Sequence, residues 1–283
     1  MVENDFDKEI KYKLFRTVTE ILHPSISKKN ISDYKIIIGE DYLPVRIYYP
    51  KKISEMNQIM IYIHGNGKVT DCIGKYSSIC KNLCLKTDSL LIAIEYEEEK
   101  SNYKDRIQKI YETVKYLYHG LEMNDIDLDH ICLVGDSTGC HMITAIHYLN
   151  KKEIPIHKEI LFYPTLSLEY FGKSKYESME KNKNFNPGLL ESLESYFLEV
   201  SNKEELKEEM MNPLKWENQE VPDTLIMVGN VDLLKDEAKE YFEKMNQESS
   251  KYVELPFCAH GFLKTDDKEL ENEIYSEVRS FLG

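Results

Sequence analysis

Four apolar residues, Ile131 to Val134, run straight into Gly135-Asp136-Ser137-Thr138-Gly139, and an apolar helical pattern from Met142 to Leu149 follows at once. A strand and a helix joined this closely must reverse direction within one tight turn. Glycines two places either side of the serine suit such a turn, because a side chain there would strike the adjoining element. The serine itself is pushed outward, where a substrate can reach it. The flanking strand and helix make the pattern far more specific than five residues alone, and they tie the chain to an α/β design.

The rest of the chain agrees with that design. Short β-rich runs alternate with longer helical patterns, the mark of a mainly parallel sheet covered on both faces. The strand candidates are Lys35 to Ile38, Val45 to Tyr49, Ile59 to Ile63, Leu90 to Tyr96, Ile131 to Val134, Glu159 to Tyr163, Thr224 to Val228 and Tyr252 to Leu255. The first two are so close in sequence that they are expected to pair antiparallel at an edge. Between the strands, apolar residues recur at three and four: Ile107, Ile110, Tyr111, Val114, Leu117 and Tyr118, then Leu234, Ala238, Tyr241, Phe242 and Met245, then Leu270, Ile274, Val278 and Phe281. Gly120 is expected to stop the first of these helices.

The 283 residues, 42% apolar and 30% charged, suffice for one full core, so a single domain spanning 1–283 is expected. Within it, Ser167 to Val221 breaks the alternation and reads as a helical insertion. Asn186-Pro187 opens one helix there through Phe197, and Ser201-x-x-Glu204 opens another bearing Leu206 and Met210. The insertion's aromatics either line a pocket or pack the insertion itself. The net charge of −14 repels nucleic acid and anionic membranes and favours a neutral or cationic small substrate. Residues 1 to 20 lack the apolar core of a signal peptide, about 7 to 15 residues long. No stretch approaches the roughly 18 apolar residues of a membrane span. Six cysteines without C-x-x-C spacing read as reduced, buried thiols in a cytoplasmic protein.

A serine hydroxyl is a weak nucleophile at neutral pH and needs a base, held in turn by a third group. After the run Thr224 to Val228 comes Gly229-Asn230-Val231-Asp232, and after Tyr252 to Leu255 comes Pro256-Phe257-Cys258-Ala259-His260-Gly261. Both Asp232 and His260 thus follow strands, on the same sheet edge as Ser137, and the order Ser, Asp, His is that of the nucleophile-elbow fold. Asp236 competes with Asp232 but falls inside a helix. Among the other histidines, His141 lies on the helix leading away from Ser137 and reads as structural, while His23, His119, His130, His147 and His157 suit surface or capping roles. A tetrahedral oxyanion needs fixed N–H donors. Thr138 supplies one, and His64-Gly65-Asn66-Gly67, after the strand Ile59 to Ile63, is where a second belongs. That loop is neither a phosphate loop nor a dinucleotide fingerprint, since Val69 and Thr70 stand where those patterns need Ser or Thr and Gly. No cofactor or metal is called for.

These motifs, with Asn212-Pro213-Leu214, Asp232-x-Leu234-x-Asp236-Glu237 and His260-Gly261-Phe262, resemble the hormone-sensitive-lipase-like branch of the α/β-hydrolase fold, whose members are mostly carboxylesterases. The resemblance runs from about Tyr42 to the C-terminus. It implies a mostly parallel eight-stranded sheet flanked by helices, with a helical cap from about residues 1–30 and 167–221. It also implies Ser137 as nucleophile, Asp232 as orienting acid and His260 as base. Asn66, Gly67 and Thr138 would be the oxyanion donors, with His64, Gly65, Gly135 and Gly139 supporting them. Three departures stand out. Asn66 replaces a glycine, Cys140-His141 replaces a Gly-Asn pair, and Tyr96-Glu97-Glu98-Glu99 replaces Tyr-Arg-x-x-Pro. The expectation is a serine esterase acting on small neutral esters with short acyl groups through an acyl-enzyme. The alternatives are a peptidase or amidase of the same fold, or a binding protein that has lost turnover.

Overall fold

The computed structural model describes residues 5–23, 33–36, 42–51, 58–65, 72–96, 102–166, 205, 208–216, 221–245 and 248–283. In chain order the described elements are α1 (Asp5–Leu22), β1 (Asp33–Ile36), β2 (Val45–Tyr48), β3 (Ile59–Ile63), α2 (Cys72–Thr87), β4 (Leu90–Ile94) and α3 (Tyr103–Glu122). Then come β5 (Ile131–Asp136), α4 (Thr138–Asn150), β6 (Lys158–Phe162), β7 (Asp223–Gly229), α5 (Lys235–Glu243), β8 (Lys251–Leu255) and α6 (Lys268–Leu282). All eight strands expected from the sequence are present, with ends shifted by up to two residues. Helix candidate 186–197 lies outside the described residues, as do 201–204 and 206–207 of the second candidate, which was expected to carry Leu206 and Met210. Where description resumes, Glu209–Met211 and Pro213–Lys215 are single 3-10 turns.

The strands form one sheet in the order β1-β2-β4-β3-β5-β6-β7-β8. β1 pairs antiparallel with β2 and β2 with β4, and every other pairing is parallel. β3, β4 and β5 are buried along their whole length, as strands with helices on both faces must be. In β3, Ile59, Ile61 and Ile63 join one core with α1, α3, α4 and α5, while Met60 and Tyr62 join a second with α2 and α6. That is the two-residue period of a strand covered twice. The chain runs from β3 outward to β4, then returns to place β5 on β3's other side. Loops leaving β3 and β5 therefore diverge, opening a crevice at their carboxyl ends.

Two expectations are corrected. Gly120 does not stop α3, which continues to Glu122. A Cβ there would lie 2.4 Å from Val18 and 2.7 Å from Leu14, so the glycine is where α1 crosses α3 closely. His147 is not on the surface. Its Nε2 lies 2.6 Å from the carboxylate of Glu159, itself buried and taking a further bond from the Thr224 hydroxyl. Both cases follow from tertiary contacts that single-chain patterning does not carry. Among the described residues no helix is long and apolar enough to cross a membrane, and Cys80, Cys84, Cys132, Cys140 and Cys258 are buried and unpaired.

Candidate active site

β5 ends at Asp136 and α4 begins at Thr138, leaving Ser137 alone to make the turn at φ 51° and ψ −121°. A non-glycine residue held there stores about 1 to 3 kcal/mol of strain, so the surroundings must enforce it. They do so by backbone bonds on both sides. Ser137 N–H donates to Phe162 carbonyl (3.0 Å), and Ser137 carbonyl accepts from Cys140 and Thr165 N–H groups. The flanking glycines serve closeness: a Cβ on Gly139 would lie 2.2 Å from the Ile63 carbonyl, and one on Gly135 would lie 2.8 Å from Ile143.

The loops after β7 and β8 bring two more side chains to this point. Ser137 Oγ lies 2.9 Å from His260 Nε2, and His260 Nδ1 lies 3.0 Å from Asp232 Oδ2. Asp232 is itself fixed by accepting the Leu234 N–H on its other oxygen (2.9 Å). Asp236 is exposed on α5. A carboxylate only accepts, so His260 Nδ1 carries the ring proton and Nε2 presents its lone pair to the serine. Burial draws the His260 pKa down, but the charge and hydrogen bond of Asp232, aided by Asp136 and Glu237, outweigh it and hold the pKa above its ordinary value. In this arrangement an imidazole can take the proton of a hydroxyl and keep it.

Across β3 lies the loop that begins His64-Gly65. Asp136, the residue before the serine, turns its buried carboxylate toward this loop. Oδ1 accepts the Gly65 N–H (2.7 Å) and the Tyr62 hydroxyl (2.6 Å). Burial raises the Asp136 pKa, and those two bonds oppose it. The clearance is small, since a Cβ on Gly65 would lie 2.6 Å from the Asp136 carbonyl. His64 donates from Nδ1 to the Gly65 carbonyl (2.8 Å), and its ring stacks on Tyr96 at 4.0 Å with planes 2° apart. Tyr96 in turn donates its hydroxyl to the His64 carbonyl. Burial first, and Arg106 in addition, lower the His64 pKa to about 4, so the ring is neutral. Asn66 and Gly67 lie outside the described residues. Thr138 opens α4.

A family model described as an alpha/beta hydrolase fold matches residues 60–264. The chain is an α/β-hydrolase. An esterase of Fusarium pseudograminearum is 22% identical over 77% of this hydrolase and 70% of its own length. In structure, the carboxylesterase EstE1 from a metagenomic library gives a TM-score of 0.72 at 21% identity, over 99% of this chain and 97% of its own. The Francisella virulence factor BioJ gives 0.73 at 21% identity, over 99% and 96%. At these identities the structural likenesses establish the fold.

Around Ser137 and His260 the hydrolase also places residues that sequence patterning did not single out. Asp136 is one, and an acid ending an otherwise apolar buried strand was the available signal. Tyr163 is another. It leaves β6 at φ 38°, and its ring stands edge-on to His260 and to Phe262, each at 4.8 Å. Nothing in the linear sequence marks a tyrosine after an apolar strand for this position. Phe257, three residues before His260, is 93% exposed at φ 57°. A bulky side chain there carries left-handed strain and gains little packing. Phe257→Gly is expected to raise stability by roughly 0.5–1 kcal/mol, the strain relieved less the extra unfolded-state entropy of glycine. A urea midpoint unchanged or lowered in the variant contradicts this.

Proposed function

We propose that this hydrolase is a serine carboxylesterase, with Ser137 as nucleophile, His260 as base and Asp232 as its orienting acid. The single observation that carries the reading is the unbroken line of Ser137 Oγ, His260 imidazole and Asp232 carboxylate at 2.9 and 3.0 Å. His260 Nε2 takes the serine proton as Oγ attacks the ester carbonyl. In this reading the oxyanion is met by the backbone N–H of Thr138, at the positive end of α4, and by those of Asn66 and Gly67. His260 then returns the proton to the departing alcohol, leaving an acyl-enzyme that water cleaves by the same route reversed. Asp136 serves by holding Gly65, and with it the start of the oxyanion loop.

The esterase names of the Fusarium relative and of EstE1 support ester over amide substrates, and the net charge of −14 favours neutral ones. Segments 1–30 and 167–221 form the cap in this reading, and short acyl groups are the substrates. The test is purified protein on p-nitrophenyl acetate and butyrate with the matching anilides in parallel. Turnover of the esters at a kcat/KM at least about a hundredfold above the anilides is expected. Anilide cleavage equal to ester cleavage makes it an amidase. Absence of both turnover and fluorophosphonate labelling at Ser137 overturns the catalytic reading.

A further inference from the structure

Behind the candidate site stands one buried cation. Arg106, in the first turn of α3, is 2% exposed, and among the described residues it is the only buried lysine or arginine. The position is unfavourable twice over. Burial strips a charge of its solvation, and the start of a helix is its positive end, which repels a cation. A residue that breaks local rules in this way marks a functional place more often than a purely structural one. Its guanidinium carbon lies 6.0 Å from the ring centroid of Tyr96 and 5.9 Å from that of Tyr103. Away from water, such contacts hold a cation to aromatic faces most strongly.

Each of these buried tyrosines reaches a buried histidine. Tyr96 stacks on His64 and donates its hydroxyl to the His64 carbonyl. Tyr103 donates its hydroxyl to His141 Nδ1 (2.9 Å), since His141 Nε2 carries the ring proton toward the Met211 carbonyl (3.1 Å). Burial lowers the pKa of both histidines to about 4, so the guanidinium is the only charge among these five side chains. Both histidines flank the serine. His64 leads into Gly65, where a Cβ would lie 3.0 Å from Ser137 Cβ, and His141 is on α4, four residues after Ser137. The resembled pattern has an arginine directly after the tyrosine, where this chain has Glu97. Here a guanidinium reaches Tyr96 from α3 instead.

We propose that Arg106 is a positioning residue for turnover: its charge sets Tyr96 and Tyr103, which hold His64-Gly65 and α4 in place on either side of Ser137. The proposal rests on the esterase reading, in which His64-Gly65 begins the oxyanion loop. Losing a whole oxyanion donor costs about 10² to 10³ in kcat, and a displaced loop start costs part of that. Because the oxyanion exists only past the ground state, the loss falls on kcat and leaves KM in place. The measurement is kcat and KM for p-nitrophenyl acetate in wild type, R106M, R106K, Y96F and the double variant R106M/Y96F.

R106M, an apolar chain of similar length, is expected to lower kcat about thirtyfold with KM within about twofold of wild type. R106K keeps a cation for the two rings and should return kcat to within about fivefold of wild type. Y96F keeps the stacked ring and loses only the bond to the His64 carbonyl, for an expected loss of about tenfold in kcat. Since Arg106 acts through Tyr96, the double variant should fall little further than R106M, well short of the product of the two losses. Folded R106M with kcat within about threefold of wild type, R106K as slow as R106M, or losses that multiply in the double variant overturn the proposal. If R106M does not fold, Y96F decides: a loss confined to kcat sustains the proposal, and wild-type kcat overturns it. Wild-type protein that turns over no ester and takes no fluorophosphonate at Ser137 defeats the esterase reading itself. Wild-type turnover with an unmoved kcat in R106M defeats only this inference.

Discussion

Ser137→Ala lowers the turnover of p-nitrophenyl acetate by about 10⁴ to 10⁶, with the fold intact, if the serine is the nucleophile. The change removes one oxygen and nothing that holds the turn. The elbow is maintained by the backbone bonds of Phe162, Thr165 and Cys140 and by the closeness of Gly139 to Ile63, none of which involves Oγ. Circular dichroism and the melting curve should therefore match wild type closely while the rate collapses. His260→Ala should cost a comparable factor, and the double variant hardly more than either alone, because the two act as one unit. Full activity in the alanine variant means that the hydroxyl at the elbow is a bystander. Multiplicative losses in the double variant mean that serine and histidine act separately, contrary to the 2.9 Å contact between them.

The parts of this site visible in the sequence are those fixed by local pattern. Ser137, Asp232 and His260 each follow an apolar run that is a strand, and parallel strands put all their carboxyl ends on one edge. Position after a strand was therefore enough to group Ser137 with His260, 123 places away, and His260 with Asp232, 28 places away. Gly135 and Gly139 were legible for a related reason, since a strand and helix meeting in so few residues leave no room for a Cβ. The hidden parts depend on which strand neighbours which. Asp136 reaches Gly65 and Tyr62 because β5 lies beside β3 in register, Ile63 against Gly135. Tyr163 reaches His260 across the end of β7, whose Met227 carbonyl holds the Tyr163 N–H at 2.7 Å. Gly120 and His147 misled for the same reason: a helix-ending glycine and a crossing-point glycine read alike, and so do a surface histidine and one matched to a buried glutamate. His141 was read as structural, and its partners Tyr103 and Met211, 38 and 70 residues away, had no mark of their own.

Asp232→Asn tests the charge in this site apart from its shape. The asparagine carbonyl can still accept the Leu234 N–H that now bonds Asp232 Oδ1, so the turn into α5 survives. The imidazole loses both its orienting charge and the acceptor that fixes the proton on Nδ1, and kcat falls by about 10⁴. The pH profile moves as well. In wild type the His260 pKa is raised, Asp232 outweighing burial, so the pair stabilises the fold fully below the unfolded histidine value near 6.5 and loses that contribution as pH rises through the folded pKa. Activity runs the opposite way, because only the neutral ring accepts the serine proton. Wild-type kcat/KM therefore rises with pH and reaches half its maximum above about 6.5. Without the aspartate charge, burial is the dominant influence left on the ring and it lowers the pKa. The residual activity of the asparagine variant should accordingly reach half-maximum at a lower pH than wild type, and the variant should lose less stability than wild type as pH rises through the wild-type midpoint. A midpoint that stays in place while the rate falls would mean that Asp232 orients the ring without setting its charge, and the field at His260 would then have to come from Asp136 and Glu237.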